Sequence, residues 1–141
     1  MSALTHSKVA LDFVVEALAR RFVYDVLGRI TGTGEGHEGG APRFVLGRAR
    51  EGVVWRFRSD LDRNVVSEIA RLAAREQGIP IDGDRAVPPE RLVMIERRLA
   101  GVDSLTANEG TNPHSADTLT RRHSWVSDDD GRVVGELWWL D

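Results

Sequence analysis

The sequence predicts an α+β fold: an antiparallel sheet of hairpins packed against amphipathic helices, in a single domain. Apolar residues recur at helical spacing over 11–22, 61–72 and 92–99, and two pairs of β-rich segments, within 43–58 and 121–140, are each joined by a turn. A chain of 141 residues can bury one substantial core but is too short for two.

In the first helix, Leu11, Val14, Val15, Leu18 and Phe22 form the apolar stripe, with Asp12, Glu16 and Arg20 between them and an expected end near Arg21. Its acidic residues precede its basic ones, the order that suits the helix dipole. Phe22 to Asp25 and Arg29 to Thr31, interrupted by Leu27-Gly28, suit a short strand pair or a bent strand. Gly32 to Pro42 is rich in glycine and nearly free of apolar residues, and is expected to be a mobile loop.

Arg43 to Arg48 and Val53 to Arg58 read as a hairpin turning at Glu51-Gly52. Strand alternation puts Val53, Trp55 and Phe57 on one face, expected buried, and Val54, Arg56 and Arg58 on the other. Ser59 or Asp60 is expected to cap the next helix, whose stripe is Leu61, Val65, Ile69 and Leu72 and whose stop is Gly78. Pro88 and Pro89 suit the start of a third helix with Leu92, Ile95 and Leu99 inward and Gly101 ending it. Residues 102–118 read as a long connection, and Arg121 to Val126, the Asp128-Asp129-Asp130-Gly131 turn and Arg132 to Leu140 as a closing hairpin.

Composition narrows the chemistry. There is no cysteine, which excludes disulfides, thiolate metal sites and cysteine nucleophiles. The polar start and the charges interrupting the first apolar run fit neither a signal peptide nor a membrane span, so a cytoplasmic protein is expected. A net charge of −3 gives no global attraction to nucleic acid. Lys8 is the only lysine, and the preference for Arg, Gly and Ala suggests a GC-rich bacterial coding sequence.

Several motifs invite a chemical reading. Arg29-Ile30-Thr31-Gly32-Thr33-Gly34 matches Arg/Gln-x-x-Gly-x-Gly, a pattern that wraps backbone N–H groups around pyrophosphate when it opens a helix. Here Glu35-Gly36-His37-Glu38 follows, a poor helix start with two carboxylates where phosphates would lie. His6, His37, His114 and His123 lack metal-ligand spacing, and Asp128 to Gly131 lacks the ligand alternation of a calcium loop, so no metal is expected. Ser124 and His123 are neighbours on a strand and point to opposite faces, which excludes them as nucleophile and base.

Arg43, Arg48, Arg50, Arg56 and Arg58 cluster around the first hairpin, and of these Arg48, Arg56 and Arg58 are the candidate anion-binding residues. Ordinary pairing with Glu51, Asp60 and Asp62 is the competing explanation. Trp138 and Trp139 must face opposite ways, so one is expected in the core and the other at the rim or in solvent. With Trp125, they are the candidate interface for a homodimer or other protein partner, the alternatives being the wall of an apolar pocket and ordinary core packing with an edge contact.

The strings Arg21-Phe22-Val23-Tyr24-Asp25, Ala41-Pro42-Arg43-Phe44-Val45-Leu46-Gly47-Arg48 and Glu51-Gly52-Val53-Val54-Trp55-Arg56-Phe57-Arg58 resemble the amino-terminal region of bacterial GNAT-type N-acetyltransferases. The resemblance continues through Leu61 to Glu76 and Pro88 to Leu92, covering residues 1–101, with 102–141 the connection and final hairpin. It implies the region preceding an acetyltransferase core. No later Arg/Gln-x-x-Gly-x-Gly opens a helix, so no catalytic or coenzyme residue carries over. The expectation is a non-catalytic recognition or assembly domain without cofactor, binding a small anionic ligand or a protein partner. The alternatives are a reduced acyltransferase using acetyl-CoA through Arg29 to Gly34, a small cavity enzyme with dispersed carboxylates, and a truncated relative retained for a partner's stability or regulation.

Overall fold

The computed structural model describes residues 8–34, 39–101 and 120–141, which form three helices and two antiparallel sheets. Helix α1 (Ala10–Arg21) leads into a small sheet of β1 (Phe22–Tyr24) and β2 (Ile30–Thr33). The hairpin of β3 (Phe44–Ala49) and β4 (Gly52–Phe57) precedes helices α2 (Arg63–Ala73) and α3 (Leu92–Leu99). Strands β5 (Arg121–Ser127) and β6 (Val133–Leu140) complete a four-stranded sheet ordered β4-β3-β6-β5.

Helices cover both faces of the larger sheet. Val45, Ala49, Leu137 and Trp139 pack on Val14 and Leu18 of α1. The alternate residues Phe44, Leu46, Trp138 and Leu140 pack on Ile69, Ala73, Leu92, Ile95 and Leu99 of α2 and α3. Every residue of β3 is therefore buried. Val53, Trp55 and Phe57 lie half-buried against the helix pair, on the face expected from their alternation.

Double coverage corrects one expectation. Trp138 and Trp139 are each only 5 % exposed, because each enters a different core and neither reaches solvent.

Helix α1 approaches the sheet most closely at two glycines. A Cβ on Gly47 would lie 2.4 Å from Val14 Cγ1, and one on Gly135 would lie 2.3 Å from Val14 Cγ2. Glycine on both central strands thus creates the depression that receives α1.

Two further corrections concern α2. Asp62, not Ser59 or Asp60, caps it, its carboxylate accepting from the amides of Asn64 and Val65. The helix ends at Ala73, short of Gly78. Gly78 meets another need: a Cβ there would lie 2.3 Å from Gly52 N and 2.6 Å from Ala49 O, so the chain can pass the β3–β4 turn only without a side chain. The expected mobile loop begins later than Gly32, since β2 runs to Thr33; residues 35–38, like 102–119, lie outside the described residues. The Asp128 turn closes on itself, with Asp128 Oδ1 accepting from the amides of Asp130 and Arg132 and Gly131 at φ 84°. Among the described residues no helix is long and apolar enough to cross a membrane.

Gly47→Ala is expected to destabilise the fold by about 1–3 kcal/mol through overpacking against Val14, measured by urea unfolding. Combined with Val14→Ala it should cost less than the sum of the two single changes, because the added methyl then occupies the space vacated.

Candidate functional site

Arg48 of β3 and Glu136 of β6 are cross-strand partners, so register alone puts both side chains on the α2–α3 face. Glu136 is 1 % exposed and Arg48 4 %. Glu136 Oε2 accepts from Arg48 Nε at 2.8 Å and lies 2.7 Å from Nη2, while Glu136 Oε1 lies 3.0 Å from His123 Nε2. Arg48 Nη2 also donates to the carbonyl of Val87, tying the 79–87 segment to the sheet. A line of polar side chains thus crosses β3, β6 and β5 inside the apolar layer.

Clefts of about 410 and 290 Å³ flank Arg48. In both, Arg48 is already paired with Glu136. Arg75, Arg91, Glu76 and Glu90 line the larger cleft, and Arg85, Asp82 and Asp84 the smaller. His123 is no better placed as a catalytic base: Glu136 occupies Nε2, and the ring lies 4.4 Å from that of Trp125 and 4.3 Å from that of Trp138. Ser124 Oγ turns to the Trp125 carbonyl.

The other two candidate anion ligands lie apart from Arg48. Arg58 pairs with Asp60 at 2.7 Å and donates to the Ala41 carbonyl, and its hydrogen bond holds the Asp60 carboxyl below the ordinary carboxylate range. Arg56, on the α1 face, donates to the Trp55 carbonyl at 2.8 Å and forms no ion pair among the described residues. Beside it, Tyr24 donates to the Leu18 carbonyl; burial pushes its phenol up to about 12, against a smaller opposing effect of Arg56.

The proposed interface is likewise dispersed. Trp138 and Trp139 are buried in different cores, and Trp125 is half-buried on the edge strand β5 with its ring edge-on to His123. The glycines of the pyrophosphate-like motif serve packing. Gly32 pairs with Val23 in the β1–β2 sheet, and Gly34 N donates to the Arg21 carbonyl at 2.6 Å where a Cβ would strike Arg20 O.

A site that the sequence reading missed lies on the outer side of the helix pair. Glu68, Arg71, Leu72 and Arg75 follow one another at spacings of three, one and three along α2 and its exit, and Met94, Arg97 and Arg98 do so along α3. These residues line a groove of about 470 Å³ with Leu72 and Met94 as its apolar part. Arg98 pairs with Glu68 at 2.8 Å, whereas Arg71, Arg75 and Arg97 make no ion pair among the described residues. The periodic arginines on the faces opposite the inward stripes are the sequence signal of this groove.

Among the described residues no group of three metal-ligating side chains could hold a metal ion. No family model matches the chain, and no curated protein or solved structure matches it either.

Glu136→Gln should cost about 3–5 kcal/mol in urea unfolding by leaving Arg48 buried and uncompensated, whereas Arg48→Met/Glu136→Leu should cost less than the single change. Tyr24 is the only tyrosine, so its ionisation can be followed by near-ultraviolet absorbance. Because its folded value lies above the ordinary 10.0, its contribution to stability is complete below that pH and lost as pH rises towards about 12. Arg56→Gln should move the absorbance transition higher still by removing the cation.

Proposed function

We propose that the protein is a non-catalytic recognition or assembly domain, related to the front part of GNAT-type acetyltransferases, whose α2–α3 groove binds an acidic, amphipathic segment of a protein partner. The observation that carries this reading is the composition of the groove: Arg71, Arg75, Arg97 and Arg98 against the single acid Glu68, around Leu72 and a Met94 that is 51 % exposed. A partner helix could lay an aliphatic edge over Leu72 and Met94 while its carboxylates reach the arginines. The forked guanidinium suits carboxylates particularly well, since two parallel hydrogen bonds fix orientation as well as charge.

The shape of the site favours a segment over a metabolite. The groove runs along two helices at the surface, whereas a small ligand is usually held in a deeper concavity with convergent polar groups. Support for the relation to GNAT-type proteins is the Gly47-Arg48 and Gly52-Val53-Val54-Trp55-Arg56-Phe57-Arg58 string followed by two helices.

A synthetic helical peptide with leucine along one edge and glutamate elsewhere should bind, with affinity falling as salt is raised. Arg71→Glu/Arg97→Glu should weaken binding by about tenfold or more without altering thermal unfolding, since both are surface substitutions. An affinity indifferent to both salt and charge reversal would refute the reading.

A further inference from the structure

Beyond the groove, we infer that the outer edge of β4 is a second recognition site, taking an extended partner segment in which apolar and acidic residues alternate. β4 is the terminal strand of the larger sheet. Arg58 N donates to Arg43 O, so the hydrogen-bonded pairs of the β3–β4 ladder are those that include Arg56 and Val54. The intervening Val53, Trp55 and Phe57 therefore turn their backbone N–H and C=O groups away from β3, toward the open edge.

The described residues satisfy that edge only in part. A parallel bridge joins Ile30 to Arg58, with Ser59 N donating to Ile30 O, and covers the Phe57 carbonyl end of the edge, and the Trp55 carbonyl is occupied by the side chain of Arg56. Between the strand and the β1–β2 hairpin lies a slot of about 480 Å³, lined by Trp55, Arg56 and Phe57, by Leu27 and Arg29, and by Val66 of α2. Val26 and Leu27, at the hairpin tip, are 98 % and 72 % exposed, and Leu27 supplies part of the apolar wall.

The side chains specify the occupant. A strand added beside β4 directs alternate residues to opposite faces of the sheet. On one face it would meet Trp55, Phe57 and Val66, which call for apolar side chains. On the other it would meet Arg56, whose guanidinium lacks a carboxylate among the described residues and is held only by the carbonyl that an incoming amide would claim. An acidic residue at that position would draw Arg56 off the Trp55 carbonyl and expose the acceptor to the new strand. Arg29 at the slot is already paired with Asp25, so it adds less attraction.

The opposite edge is less suited. β5 carries Arg121, Arg122 and His123 and has a register shift between Val126 and Ser127, features that discourage strand addition. β4 keeps an unbroken register over its whole length and has Arg56 as its one charged residue.

The test uses the full chain and an end-blocked peptide of alternating valine and glutamate, compared with the same peptide N-methylated at alternate residues and with a valine–lysine version. The first peptide should slow amide hydrogen exchange at Val53 and Phe57 by about tenfold or more. Both comparison peptides should fail, Arg56→Glu should abolish the effect, and Arg71→Glu/Arg97→Glu should leave it intact, separating this edge from the groove. Equal binding of the N-methylated peptide, or protection confined to α2 and α3, would overturn the inference. So would protection of the same amides by raising protein concentration alone, accompanied by a dimer in sedimentation, since the occupant would then be a second copy of the chain.

Discussion

The structure depends on the burial of β3 and β6 from both sides at once. A strand covered on a single face can alternate apolar and polar residues, but β3 and β6 must place every side chain against protein. Their sequences meet this demand in three ways: large apolar residues on each face, glycines where α1 presses closest, and one ion pair. Gly47 and Gly135 both receive Val14, so the seat of α1 is a matter of volume as much as of hydrophobicity. The same geometry explains why adjacent Trp138 and Trp139 are both buried: each is a core residue, one under α1 and the other under the helix pair.

Within that doubly covered layer, Arg48 and Glu136 could not be tolerated singly. Desolvation of either charge is offset only by its partner and by the further hydrogen bonds to His123 and the Val87 carbonyl. Such a pair adds little net stability compared with apolar residues, but it does specify geometry. It fixes the register of β3 against β6 and anchors the long 79–87 connection over the sheet. Glu76 does similar work at the helix pair, accepting from the Arg91 amide at the start of α3. Buried charge in this protein holds irregular chain in place.

With Arg48 and Glu136 mutually satisfied inside, two outer surfaces combine arginines that make no ion pair among the described residues with apolar area. The outer side of α2 and α3 joins Arg71, Arg75 and Arg97, which make no ion pair among the described residues, to exposed apolar surface, and Arg56 stands beside the outer edge of β4. Other arginines are held by carboxylates, as Arg58 is by Asp60, Arg121 by Glu96 and Arg122 by Asp141. Both surfaces offer cationic groups next to apolar area, the combination on which the proposed recognition of acidic polypeptide segments rests.

Local pattern was sufficient for much of the fold. Period-2 and period-3.6 apolar spacing, with glycine and aspartate at the turns, carried the α+β class, both hairpins, the three helices and the inward faces of Trp55, Phe57, Leu92, Ile95 and Leu99. These features depend on neighbours in sequence, so a sequence contains them. The cap of α2 was misplaced by two or three residues because Ser59, Asp60 and Asp62 are all competent caps, and only the helix's docking selects among them. Tertiary structure alone decided that helices cover both faces of the sheet, and with that the burial of both C-terminal tryptophans and the fate of the arginines. Arg48, Arg56 and Arg58 look alike along the chain. They differ because Arg48 finds its carboxylate 88 positions away, Arg58 finds one two positions away, and Arg56 has none among the described residues; the first of these pairings exists only once strands have found their partners.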